Sequence, residues 1–219
     1  MATTSAQVQQ LYVAYLGRAA DKAGLDYWLK ELNAEKPTLT LENLRANFVN
    51  EQKEYKDAYA GLTREDTIVK IYNNLFGRAP DAEGLTYWST GAGATVNADQ
   101  LLTAFISGAS ADDAKIITNK VLVAEVYTST ADTNYANADA KSVISGVTSD
   151  YATVGQALVK LTDGSLSGIA VPAAVANLKA AAAADAASDS YESNNTTTLK
   201  DLSAKLAALT KADGNLPDT

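Results

Sequence analysis

Apolar residues fall at Val8, Leu11, Tyr12, Tyr15 and Leu16, the i, i+3, i+4, i+7, i+8 stripe of an amphipathic helix, and the same stripe returns at Ile68, Ile71, Tyr72, Leu75 and Phe76. Each stripe runs into a glycine, Gly17 or Gly77, placed where a left-handed helix-ending conformation is cheap only for glycine. Four residues later Asp21 or Asp81 offers a side-chain oxygen to the free N–H groups of a second helix. The pattern therefore reads as stop, tight turn, restart, twice over. Leu25, Trp28, Leu29 and Leu32 continue the first copy on an apolar face, whereas Ser89, Thr90, Gly91 and Gly93 cut the second copy short.

The two stretches, LYVAYLGRAADKAGLDYW from Leu11 and IYNNLFGRAPDAEGLTYW from Ile71, are a tandem repeat at an offset of 60 residues, and they hold both tryptophans of the chain. After Pro37, Leu41, Leu44, Phe48, Val49, Tyr55 and Tyr59 resume helical spacing up to Gly61 and predict one third helix. Its counterpart spans Ala98 to Ser107, where Leu101, Phe105 and Ile106 align with Leu44, Phe48 and Val49 after a three-residue deletion in the GAGAT turn. Thr63-x-x-Asp66 reads as a capping box, and Ser110-x-x-Asp113 starts a helix through Ile116, Ile117, Val121, Leu122 and Val126.

Beyond Tyr127, the polar run Thr128 to Asn137 marks a loop and the predicted domain boundary. The expected organisation is a tandem-repeat helical domain over 1–129, with repeats of about 5–60 and 65–129, and a C-terminal helical region over 130–219. That region should hold a helix around Ala138 to Val147, another from an Asp150 cap to Asp163-Gly164, an alanine-rich helix from Pro172 to about Ala187, a polar loop from Ser188 to Thr198, and a last helix. In the last, Leu199, Leu202, Leu206 and Leu209 form a short seam suited to one partner helix, closed by Gly214 and Pro217. The fold class is all-α, a compact helical bundle of two tandem repeats plus a C-terminal helical region.

The doubled GR-x-x-D-x-x-GL-x-YW pattern resembles a family of helical repeats of undefined function found in large bacterial surface-layer proteins and other proteins exported by type I secretion. In Gram-negative surface-layer proteins, N-terminal helical regions of this kind are associated with anchoring the layer to lipopolysaccharide. The resemblance thus implies an extracellular, cell-surface location, an O-antigen polysaccharide as partner, and self-association in a two-dimensional array.

Composition narrows the chemistry. The 219 residues are 47% hydrophobic, enough for a core, and carry a net charge of −8, which opposes nucleic acid and anionic membranes. There is no cysteine, and neither MATTSAQVQQ nor the alanine-rich stretch of 168–187 reads as a cleaved signal peptide or a membrane span. Export is then expected to use a C-terminal signal or a larger parent chain. The absence of both histidine and cysteine removes Ser–His and Cys–His nucleophilic pairs and the common zinc sites. No catalytic residue and no metal site is expected, and an enzyme acting on polysaccharide with two carboxylates is the remote alternative.

The binding candidates are the repeated charged and aromatic residues. Arg18 and Arg78 beside Asp21 and Asp81 could present donors and acceptors to a sugar, although a capping Asp, with Arg pairing to it or covering carbonyls, explains the spacing without a ligand. Neighbouring helical residues point about 100° apart, so one member of each Tyr-Trp pair should be buried; Trp28 and Trp88 are assigned to the core and Tyr27 and Tyr87 to the surface as sugar-stacking candidates. Asp132, Asn134, Asn137 and Asp139 offer oxygens of the kind calcium takes, but lack the glycine turn and terminal Glu of an EF-hand loop, so they read as a solvated loop and no cofactor beyond calcium is considered. The leading reading is a non-catalytic cell-surface anchoring module. Its rival is a protein–protein scaffold that uses the leucine seam.

Overall fold

In a computed structural model the protein is described over residues 2–213, except for the side chains of 199 and 209–213. Among the described residues there are eleven α-helices and no strand, so the chain is all-α. Helix α1 (Ser5–Leu11) passes into a π-turn over Tyr12–Leu16, followed by α2 (Lys22–Leu32), α3 (Leu41–Asn50) and α4 (Lys53–Tyr59). The second copy supplies α5 (Arg64–Phe76), α6 (Ala82–Ser89) and α7 (Leu101–Ser107). Then come α8 (Ala111–Ala131), α9 (Asn137–Ser145), α10 (Tyr151–Asp163) and α11 (Ala173–Asp213).

The local signals act as their chemistry requires. Gly17 and Gly77 end their helices at φ 64° and 71°, a region that costs residues with a Cβ about 1–2 kcal/mol. Asp21 and Asp81 each accept the N–H of the third residue of the next helix, Gly24 and Gly84, at 2.7 Å. Thr63 and Asp66 form a reciprocal capping box, and the Ser110 hydroxyl accepts from the Asp113 N–H at 3.1 Å.

Three expectations are corrected. The helix predicted from Leu41 to Tyr59 is two, because Gln52 takes an extended conformation and both the Glu51 and Gln52 N–H groups turn back onto the Asn47 carbonyl. The polar run after Tyr127 does not interrupt α8 until Ala131. The loop expected over Ser188 to Thr198 is helical, part of the 41-residue α11. That run contains neither Gly nor Pro to stop a helix, and its Thr197 and Thr198 hydroxyls donate to the carbonyls of Ser193 and Asn194, one turn back, without breaking the ladder. Of the predicted seam, the side chains of Leu199 and Leu209, together with Gly214 and Pro217, lie outside the described residues.

The chain divides into two compact units, Met1–Ala170 and Val171–Thr219, and the boundary expected at 129/130 falls inside the first. α8 explains why the first unit continues past the repeats, because it lines two hydrophobic cores. Its Ile117 and Val121 join the repeat core of Tyr15, Leu44, Phe48, Ile71, Leu75 and Leu101, while Val123, Ala124 and Tyr127 join a second core with Val13, Ala19, Val143, Ile144 and Leu161. Burial of a side chain such as Phe48 stabilises the fold by roughly 1.5–3 kcal/mol. The second unit is α11, with Leu178, Tyr191 and Leu202 exposed. No helix among the described residues is long and apolar enough to cross a membrane.

Candidate functional site

Both copies build the same aromatic group from the same positions. Tyr12 meets Phe48 edge-on at 4.9 Å between ring centroids, with Trp28 at 6.5 Å from Phe48; Tyr72 meets Phe105 edge-on at 5.4 Å, with Trp88 at 5.1 Å. Trp28 and Trp88 are half-buried against the repeat core, as the helical spacing requires. Tyr27 and Tyr87 stay 53% and 48% exposed and stand edge-on to their tryptophans at 4.8 and 4.9 Å. Each copy therefore offers one open tyrosine face steadied by an indole.

The charged candidates behave differently in the two copies. Arg18 is only 6% exposed, and its Nε and Nη2 grip the Glu54 carboxylate at 2.9 and 2.6 Å. Its Nη1 donates to the Ala19 carbonyl at 3.0 Å and to the Tyr135 hydroxyl at 2.7 Å. The guanidinium lies over the Tyr12 and Tyr135 rings at 5.0 and 5.6 Å, and Asp21 is a distant 3.9 Å. Burial works against the charge on Arg18, but the Glu54 hydrogen bonds together with the charge interactions of Tyr135, Glu54 and Tyr12 outweigh it and hold its pKa above the ordinary value. Arg18 is thus buried with four of its five N–H donors engaged, out of a sugar's reach, and Asp21 is occupied as a cap. Of the roles expected of the arginine, covering a carbonyl is met at Ala19, while the pairing with the motif's own Asp21 is long, and the close ionic partner is Glu54, delivered by α4.

Arg78 is open by comparison, its side chain 48% exposed, with Nη2 on Asp113 at 3.0 and 2.8 Å and the guanidinium over Tyr72 at 5.2 Å. Here too the carboxylate is not the one four positions after the glycine, because the capping role already orients Asp81 toward Gly84. Asp113 opens α8 and points back at the turn.

Buried tyrosines follow from the same packing. Burial, and then the nearby Asp21 charge, push the Tyr12 hydroxyl up to about 12. Burial likewise raises Tyr15, Tyr59 and Tyr135, and takes Tyr55 to about 12. In the oxygen-rich stretch at 132–139, Asp132, Asn134 and Asn137 are exposed, whereas Asp139 is buried rather than solvated, accepting the Gly168 N–H at 2.8 Å and the Ser167 hydroxyl at 3.2 Å; Asn137 accepts the Tyr135 hydroxyl at 3.0 Å. No group of three or more His, Cys, Asp or Glu able to hold a metal occurs among the described residues.

The sequence reading overlooked Lys120. It lies on α8 in the buried stripe of Ile117, Val121 and Ala124, is 3% exposed, and donates from Nζ to the Asn74 carbonyl at 2.7 Å. Burial pushes its pKa down to about 8. The signal was present, a lysine at i+3 from Ile117 inside an apolar stripe. Lys120 lines a cavity of about 290 Å³ together with Gly17, Asn73, Asn74, Gly77, Lys141, Ile144 and Ser145. A second hollow of about 270 Å³ is lined by Arg45, Val96, Gln100, Thr103, Ala104 and Ser107. Neither wall contains a carboxylate.

Compared with known families, the chain is similar to a domain of unknown function, DUF4214, whose family model matches residues 2–40 and 46–111. The match takes in both copies of the glycine–aspartate motif and ends where α8 begins, just under half of the chain. Comparison with curated proteins and with solved structures returned no match.

Proposed function

We propose that this chain is a non-catalytic attachment module of the surface-layer type, which binds a cell-surface polysaccharide such as lipopolysaccharide O-antigen outside the cell. The observation that carries the reading is the doubling of one surface feature: Tyr27 and Tyr87, exposed beside half-buried tryptophans at matched positions of two matched helices. Aromatic faces take the C–H side of a sugar ring, and two weak contacts on one compact unit gain by being linked. Further support comes from the lack of histidine and cysteine and from the two described hollows, whose walls hold no carboxylate for acid–base work. The arginines and aspartates of the motif are, on this reading, scaffolding that aims the tyrosines.

Retention of the purified chain on smooth cells and on O-antigen-deficient cells tests the proposal. Retention should be stronger on smooth cells and should fall about tenfold in the Tyr27→Ala/Tyr87→Ala variant; equal retention on both cell types removes the attachment reading. Repeating the measurement with a chelator separates direct contact from a calcium bridge between an acidic protein and an anionic glycan. A second reading, assembly with copies of itself, is favoured by the exposed Leu178, Tyr191 and Leu202 along α11. Light scattering across protein concentrations, without glycan, decides it.

A further inference from the structure

The cavity beside Lys120 is walled by the helix-ending turns of both copies, Gly17 from the first and Gly77 with Asn73 and Asn74 from the second, and by Lys141, Ile144 and Ser145 of α9. Its two titratable groups are both lysines, in a protein of net charge −8. Lys120 uses one ammonium N–H on the carbonyl of Asn74, in the last turn of α5, which leaves two donors at the cavity wall. It forms no ion pair among the described residues, although it is nearly fully buried. Capping a helix C-terminus accounts for one of its bonds and not for the rest. Lys141 is exposed and pairs with no described side chain.

A buried cation without a counterion is costly, and an incoming anion removes that cost. The turn of the second copy runs close beside the ammonium: a Cβ at Gly77 would stand 4.0 Å from the Lys120 Nζ. Asn73 and Ser145 bring an amide and a hydroxyl to the same wall, groups that bond sugar hydroxyls, and Ile144 adds an apolar patch. The volume is at the lower end of small-molecule sites, on the order of 300 Å³, room for one ring. Elsewhere the net charge of −8 opposes a ligand charged at every residue, so a glycan that carries isolated acidic sugars suits the cavity best.

We propose that this cavity binds one acidic sugar residue, its carboxylate or phosphate ester taken by Lys120 and Lys141 and its hydroxyls by Asn73 and Ser145. The inference rests on the polysaccharide reading above and narrows it to an anionic glycan.

The test is titration of the full chain with glucuronate, glucose 1-phosphate, glucose and inorganic phosphate, followed by amide NMR shifts. One or both sugar anions should give saturable shifts at Gly77, Lys120 and Lys141, and the stronger names the anionic group. Glucose should bind at least about tenfold more weakly, and the exposed substitution Lys141→Gln should weaken the sugar anion by about tenfold. Affinity should also fall as the pH passes about 8 and Lys120 loses its proton; Lys141 is the other charged group on the wall, and the Arg78–Asp113 pair starts at the residue after Gly77. No saturable shift with either sugar anion overturns the proposal. So does glucose or inorganic phosphate binding as tightly as they do. Cell retention separates the two claims: a cavity that binds sugar anions in a chain retained equally on smooth and O-antigen-deficient cells sinks attachment alone. O-antigen-dependent retention with a silent cavity sinks this inference alone.

Discussion

Arg18 and Arg78 stand one residue after a left-handed glycine and three before a capping aspartate in two copies of one motif, yet the first is sealed and the second open. The difference begins five residues upstream of each arginine. Copy one has Val13-Ala14 where copy two has Asn73-Asn74. Val13 enters the second core with residues of α8, α9 and α10, and the next turn is drawn in with it, the Ala19 N–H donating to the Ala140 carbonyl at 3.1 Å. Tyr135 then closes over Arg18. At copy two, Asn73 is exposed, and Asn74 spends its amide on the Ala14 carbonyl at 2.9 Å. The motif sets the backbone of the turn; the residues before it decide whether anything packs on top.

The arginines break this comparison most directly. Arg18→Ala leaves Glu54 and the Tyr135 hydroxyl without their donor, and removal of one partner from a buried pair costs roughly 3–5 kcal/mol. Glu54 is itself 35% exposed and partly solvated, which places the expected loss at the low end, about 3 kcal/mol. Arg78→Ala should cost under about 1 kcal/mol, the scale of a surface ion pair. Urea denaturation of the two variants measures both, and equal losses would mean that the sealing of copy one carries no energetic weight.

The glycines give a smaller contrast. Gly77→Ala meets the left-handed strain alone, about 1 kcal/mol, with the nearest outside atom 4.0 Å from the new methyl. Gly17→Ala meets that strain and also the Asn74 Oδ1 at 2.7 Å, so about 2 kcal/mol is expected. Adding Asn74→Ala to Gly17→Ala should bring the second value toward the first, measured by the same denaturation midpoints. If it does not, the contact between the copies through Asn74 is loose.

What the sequence disclosed follows the range of the interaction. The glycine stops, the aspartate caps and the outward tyrosines are settled within one helical turn, and they are where the spacing places them. The arginines' partners lie 36 and 35 residues away, so no local pattern names Glu54 or Asp113. The break at Gln52 carries no Gly or Pro and depends on how the Asn47 carbonyl is shared. The helical 188–198 run was misread for the opposite reason, since Ser, Thr and Asn are poor helix formers but not helix stops. Lys120 was legible as a charge in an apolar stripe. Its meaning depended on the cavity, which needs both copies and α9 in place.

Lys120 sharpens the comparison, because it bonds the turn of copy two while lining a cavity shared with the turn of copy one. In the folded chain it gives up its proton near pH 8, against an ordinary value of 10.5. Between those values the unfolded chain binds more protons, so stability rises with pH; below about 8 the burial penalty is present in full. The tyrosines act in the other sense. Tyr12 and Tyr55 are pushed up to about 12 from 10.0 by burial, so the stability they contribute is intact below pH 10 and is lost above it as the unfolded chain ionises first. Subtracting the stability of Lys120→Met from that of the wild type at each pH cancels the tyrosines and leaves the lysine. The difference should move in favour of the wild type by on the order of 1 kcal/mol between about pH 8 and pH 10 and stay level below about pH 7. If the difference is flat throughout, Lys120 is already compensated in the folded chain, and the cavity would offer an anion no unpaired charge.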